Sequence, residues 1–193
     1  MTREDKKEMI IEAAKKLFMQ YGPHKVTLDD IARGCDLVAA SLYYYFPSKS
    51  ELLREVVLRE HRLFWDELTG RINAVTGAEA KLLELSRVMF EKMRDLIRLP
   101  GMTRSERRLV ESDVEQDARK LKEDIVRLIE DILREGRAEG VFEFERPKLA
   151  ARMFAAGLRG LFESVLDGEI PEDDLAGLES MCALMIRALK KSG

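Results

Sequence analysis

Cysteine and histidine are scarce in this 193-residue chain, which has two of each: Cys35, Cys182, His24 and His61. Neither cysteine belongs to a CxxC pair and neither histidine has metal-ligand spacing to a partner, so the pattern offers no zinc site and no disulfide framework. Buried thiols acting as small hydrophobes, and solvated or structural imidazoles, are the expected roles. Long apolar runs are missing too. No stretch approaches the roughly eighteen apolar residues of a membrane span, and the opening "MTREDKKEMI" mixes charges without an apolar signal-peptide core. The expected location is therefore the cytoplasm. Also lacking are a glycine-rich phosphate loop, a histidine paired with a carboxylate at metal spacing, and a serine or cysteine beside a base. No enzyme, metal or cofactor is expected.

What remains is a helix-forming, charged-surface composition: 46% hydrophobic and 36% charged residues, with five prolines and twelve glycines. The length suits one or two domains. In "EMIIEAAKKLFMQYG", Ile10, Ala14, Leu17, Phe18 and Tyr21 fall on one helical face, and Gly22 with Pro23 ends the segment. In "VTLDDIARGC", Thr27 and Asp30 have capping-box spacing ahead of Leu28, Ile31, Ala32 and Cys35. In "VAASLYYYF", Val38, Leu42, Tyr45 and Phe46 share one side of the wheel, with Ala40, Tyr43 and Tyr44 opposite. Pro47 stops that helix and Ser48 is placed to cap the next.

A fourth helix is expected from Ser50 to about Val75 and a fifth from Ala78 to Leu99, ended by Pro100 and Gly101. Residues 103–140 form a long charged tract, as one helix or two. "VFEFE" alternates like a strand but has no evident partner, so a connecting loop is expected. Pro147 opens a helix to about Asp167, and "PEDDL" opens the last. The fold class is all-α with about nine helices.

Two short helices joined by a tight turn make a helix-turn-helix corner, whose second helix can enter a major groove. Such corners also occur in helical bundles that bind no DNA. The stretch "VTLDDIARGCDLVAASLYYYFPSKSELL", after a helix closing in "LFMQYG", resembles the DNA-binding segment of the tetracycline-repressor (TetR) family of bacterial transcription regulators. Thr27, Asp30-Ile31-Ala32, Leu42-Tyr43-Tyr44, Phe46, Ser48-Lys49 and Glu51-Leu52 carry the likeness, which covers roughly residues 8 to 56.

The resemblance implies a helix-turn-helix DNA-binding domain over residues 1–50 and a ligand-binding and dimerisation domain over 51–193. It implies a dimeric regulator, a repressor released from double-stranded operator DNA by a small-molecule inducer. Ala39, Ala40 and Ser41 would lie near base edges, and Tyr43, Tyr44 and Tyr45 near the backbone. Thr27 and Lys49 would reach phosphates, which agrees with the chemistry of a helix start and a lysine.

The chain departs from the family pattern at Asp36, where glycine is frequent in the turn, and at Val38, where a serine or threonine usually caps. Ala39 and Ala40 replace a common lysine and the small residue after it, and Tyr45 a frequent histidine. Residues 1 to 55 hold nine Lys or Arg and nine Asp or Glu, although no acidic residue lies between Leu37 and Ser50. A DNA-binding module is more often basic. An alternative is thus a helical ligand-binding or interaction protein that keeps the headpiece fold without specific DNA binding.

The segment "LAARMFAAGLRGLFESVL" is apolar on more than one face. With the last helix it is expected to form half of a four-helix dimer bundle through Met153, Ala156, Gly157, Gly160, Leu161, Leu178, Met181 and Met185. The family's middle helices enclose an inducer cavity. Phe64, Trp65, Met89, Phe90, Met93, Met102 and Phe154 are the candidate lining here, because methionine and aromatic side chains build adaptable apolar pockets. They lean toward an apolar inducer.

Overall fold

The computed structural model describes residues 2–97, 115–166, 168–171 and 174–190. Eight helices account for most of them: α1 (Arg3–Tyr21), α2 (Leu28–Gly34), α3 (Ala39–Tyr45), α4 (Lys49–Asn73), α5 (Ala78–Ile97), α6 (Glu115–Ala138), α7 (Pro147–Leu166) and α8 (Leu175–Arg187). The all-α expectation agrees with this, and the question of one helix or two over 103–140 falls partly outside the described residues.

Local chemistry sets the boundaries. Thr2 and Asp5 close a capping box at the start of α1, and Thr27 and Asp30 close another at α2. Each box satisfies two backbone donors that a helix start leaves orphaned. Gly22, at φ 82°, ends α1 with its N–H on the Phe18 carbonyl. Ser48 accepts from the Glu51 N–H at 3.1 Å and so caps α4. Asp174 does the same for α8 through Gly177, at 2.8 Å.

The chain forms two compact units, residues 1–64 with 99–118, and residues 65–98 with 119–193. In the first, α1 packs on α2 and α2 on α3. Its core holds Ile10, Ala14, Phe18, Ile31, Leu42 and Phe46, and also Leu52, Leu53 and Val56 from α4. A fully buried aliphatic or aromatic side chain contributes about 1.5–3 kcal/mol. Ion pairs from Arg59 to Glu12 (2.7 Å) and from Lys15 to Glu60 (2.8 Å) join α4 to α1 at the edge of that core.

In the second unit α5 packs against α7 and α8, which also touch each other. The "VFEFE" segment is a connection, as expected, yet Phe142 does find a pairing partner. It forms a single antiparallel bridge with Lys190, and the Glu143 N–H donates to the Leu189 carbonyl at 2.9 Å. That partner lies nearly fifty residues away in sequence, beyond the reach of local pattern.

Candidate nucleic-acid interface

The corner between α2 and α3 turns through Asp36, the position without the glycine. Asp36 has φ 54° and is the non-glycine residue with positive φ among the described residues. Aspartate tolerates this left-handed conformation better than most side chains. The Leu37 N–H then donates to the Ala32 carbonyl at 2.9 Å, which closes the turn.

Helix α3 starts at Val38 with no side-chain cap, and Val38 is 69% exposed. Leu42 and Phe46 anchor the helix in the core, with Tyr45 half-buried against it. Ala40, Tyr43 and Tyr44 are exposed on the outer side, while Ala39 and Ser41 are half-buried. The Tyr44 ring meets the Tyr45 ring edge to face, with centroids 5.2 Å apart and planes at 87°.

Thr27 and Lys49 are partly committed within the protein. The Thr27 hydroxyl accepts from the Asp30 N–H at 3.2 Å and donates its proton to the Asp30 carboxylate at 2.6 Å. A phosphate has no proton to offer, so a contact from this hydroxyl requires its release from Asp30. The hydroxyl's bond to the carboxylate, the Thr27 N–H donating to the same carboxylate at 2.9 Å, and Arg33 beside them hold the Asp30 carboxyl below its ordinary pKa. Lys49 Nζ donates to the Val26 carbonyl at 3.1 Å, tying the first residue of α4 to the loop ahead of α2. An ammonium has three donors, so two stay available for a phosphate.

Two residues that sequence reasoning passed over stand beside α3. Arg3 lies over the Tyr44 ring with its guanidinium carbon 5.2 Å from the centroid, and Lys7 Nζ lies 5.7 Å from the centroid of Phe46. Their i, i+4 spacing on α1 was the available signal, although nothing local says which helix they face.

In the second unit, Leu149, Met153, Ala156 and Gly160 form one exposed stripe along α7, and Met181 and Leu184 are exposed on α8. Leu161 is half-buried. Gly157 packs against Met185 of the same chain, where a Cβ would meet the sulfur at 2.6 Å, and Leu178 is buried in the chain's own core. The exposed patch thus includes Leu149 and Leu184 and leaves Leu178 inside.

Of the expected cavity residues, Phe64, Phe90 and Phe154 are buried, and Trp65 and Met89 half-buried. Met102 and the Met93 side chain fall outside the described residues. A shallow depression of about 430 Å³ lies instead on the first unit, among Leu17, Tyr21, Lys25 and Arg33, and involves none of those positions. Among the described residues no group of three His, Cys, Asp or Glu is placed to hold a metal ion. Nor is any described helix long and apolar enough to cross a membrane.

Residues 10–56 match the family model described as bacterial regulatory proteins, tetR family, and residues 75–163 match one described as a tetracyclin repressor-like C-terminal domain. The HTH-type transcriptional repressor KstR2 of Mycobacterium tuberculosis is 32% identical over 81 residues, which cover 42% of this chain and 38% of that protein. The biofilm operon icaADBC negative regulator IcaR of Staphylococcus epidermidis is 39% identical over 62 residues, covering 32% and 34%. The chain spans less than half the length of these curated relatives.

Among solved structures, a transcriptional regulator from Cytophaga hutchinsonii matches with a TM-score of 0.80 and 26% identity, over 95% of this chain and 98% of that one. A putative regulator from Saccharomonospora viridis, solved in complex with choline, matches at 0.75 and 21%, over 98% and 100%. At that identity the second likeness speaks for the fold alone.

Proposed function

Because the chain belongs to the TetR family of bacterial regulatory proteins, we propose that it is a dimeric, sequence-specific DNA-binding transcriptional regulator, a repressor released from its operator by a small-molecule inducer. Residues 1–50 are the DNA-binding domain and residues 51–193 the ligand-binding and dimerisation domain. The observation that carries this function is the α2–α3 corner. A box-capped α2 leads through a closed turn into an α3 whose outer face, with Val38, Ala40, Tyr43 and Tyr44, is exposed.

That face suits a major groove in shape and in chemistry. Small residues at the start of α3 permit close approach to base edges, and tyrosine hydroxyls further along can donate to phosphate oxygens. One headpiece with so few polar groups holds DNA weakly. Two headpieces on one dimer, spaced for successive major grooves, supply the affinity. The exposed stripe of Leu149, Met153, Ala156 and Gly160, with Met181 and Leu184, supports a second copy of this chain as its cover. Burying one apolar patch against its twin satisfies both copies at once.

Inducer control follows as a population shift. A ligand that binds one conformation better lowers DNA affinity by the same differential free energy. The apolar and aromatic character of Phe90, Met89 and Phe154 supports an apolar inducer, and the repressor names of KstR2 and IcaR support negative control.

The deciding experiment is a fluorescence-anisotropy titration of the protein with the duplex upstream of its own gene, against a random duplex of equal length. Binding at least about a thousandfold tighter to the first is expected of a specific regulator at moderate salt. Equal affinity for both sinks the proposal. A second function is favoured by the uncapped, uncharged α3: a helical ligand-binding or interaction protein that retains the headpiece without specific recognition.

A further inference from the structure

Helix α3 carries no charge between Ala39 and Tyr45, so whatever neutralises phosphates beside it must come from another element. Five of the eleven lysines and arginines in residues 1–64 are engaged within the protein. Lys49 donates to Val26, Arg33 is paired with Asp30, Arg54 with Asp117, Arg59 with Glu8 and Glu12, and Lys15 with Glu60. Arg3 and Lys7 differ. Among the described residues neither has a carboxylate at ion-pairing distance, and both stand over aromatic rings on the α3 side, Tyr44 and Phe46.

We propose that Arg3 and Lys7 of α1 are phosphate-contacting residues of the DNA surface, carried to the recognition helix on the rings of Tyr44 and Phe46. The inference rests on the DNA-binding function argued above and assigns it two cations from outside the helix-turn-helix. A guanidinium over a ring face keeps its N–H donors in its own plane, free for bidentate contact with a phosphate. The stacking itself gains free energy and restricts a long side chain, so less ordering is left for the moment of binding. Tyr44 is 65% exposed, which places Arg3 at the edge where a duplex would arrive. Its ring also meets the half-buried Tyr45 ring edge to face, so the cation rests on a paired aromatic platform. Lys7 follows one turn later along α1, half-buried beside the Phe46 ring at the C-terminal end of α3.

The test uses the full chain with Arg3→Gln and Lys7→Gln, singly and together, and with Arg3→Lys and Lys7→Arg as charge-keeping controls. Thermal melting verifies that each variant folds. Affinity for the upstream duplex and for a random duplex is measured from about 50 to 200 mM salt. Each lost phosphate contact should flatten the slope of log affinity against log salt by about 0.9, and two copies of each residue per dimer double that. The loss should be alike on both duplexes, since phosphate contacts carry no sequence information. The charge-keeping variants should retain the slope. An unchanged slope in folded Gln variants that still bind, or a loss confined to the upstream duplex, overturns the assignment. Should the unaltered protein bind neither duplex, the regulator function falls and this inference with it; an unaltered slope in a binding protein removes the inference alone.

Discussion

Gly136 of α6 lies so close to Phe142 that a Cβ placed on it would stand 2.5 Å from ring carbon Cε2, and 2.7 Å from the Cβ of Ala78. The Gly136 carbonyl accepts from the Val141 and Phe142 N–H groups at 2.8 and 3.1 Å, so the chain folds back over its own helix at this glycine. Alanine inside a helix ordinarily gains about 1 kcal/mol over glycine. Here the sign should reverse. Gly136→Ala must displace a buried ring, and overpacking of this kind costs about 1–3 kcal/mol. Differential scanning calorimetry should show a melting point several degrees lower, whereas an unchanged or raised one would mean the ring moves freely.

The bare start of α3 can be repaired. Val38→Ser supplies an acceptor for the first-turn N–H groups, and a side-chain cap of this type contributes about 1 kcal/mol. Urea unfolding of Val38→Ser should give a higher midpoint at unchanged slope. Combined with Ala39→Lys, the change should also tighten binding to any duplex. If the protein binds its upstream duplex specifically only after these substitutions, the second function named above is the correct one.

Acid should weaken the headpiece. The hydrogen bond from Arg59 holds the Glu12 carboxyl below its ordinary pKa despite some opposing desolvation, and Asp30 is lowered by the Thr27 hydroxyl and N–H. A carboxyl with a folded pKa below its unfolded one adds stability above the unfolded value, around 4. That stability is lost as pH falls through the folded value. Urea midpoints measured at constant ionic strength should therefore drop as pH goes below about 4. Glu12→Gln should flatten part of that drop; an identical profile in the variant would show that the Arg59 pair contributes nothing.

The apolar stripe on α7 gives a direct handle on assembly. Met153 is 66% exposed, so Met153→Glu removes little from the chain's own packing. In a dimer it would bury two like charges near each other. Sedimentation equilibrium should report the mass of one chain for Met153→Glu and of two for the unaltered protein, with at least about tenfold weaker operator binding once the headpieces are unlinked. A variant that stays dimeric would place the contact elsewhere.

Features that depend on neighbours in sequence were legible in it. The Thr27–Asp30 box, the Ser48 cap and the stop at Gly22 each involve residues within four positions, and the structure has all three. Of Val38, Leu42, Tyr45 and Phe46, which helical period places on one side, the last three turn inward, whereas Val38 stands ahead of the first helical turn and is exposed. What was not legible involves separation along the chain. Arg3 meets Tyr44 only after α1 and α3 pack, and Lys49 reads as a free cation until its bond to Val26 is seen. On α8 the period identified an apolar helix, but Leu178 turns inward and Leu184 outward according to where α5 and α7 lie against it. A helix that is apolar on several sides does not announce which side its own chain will cover.

The core of the first unit takes Leu52, Leu53 and Val56 from the opening turns of α4, and this decides how the headpiece can be transplanted. A chimera spliced at residue 50 would leave those three side chains behind and open the cavity they fill beneath Ile10 and Leu42. A splice inside α4 after Phe64, with the helical phase of the recipient preserved, keeps the graft's interior whole.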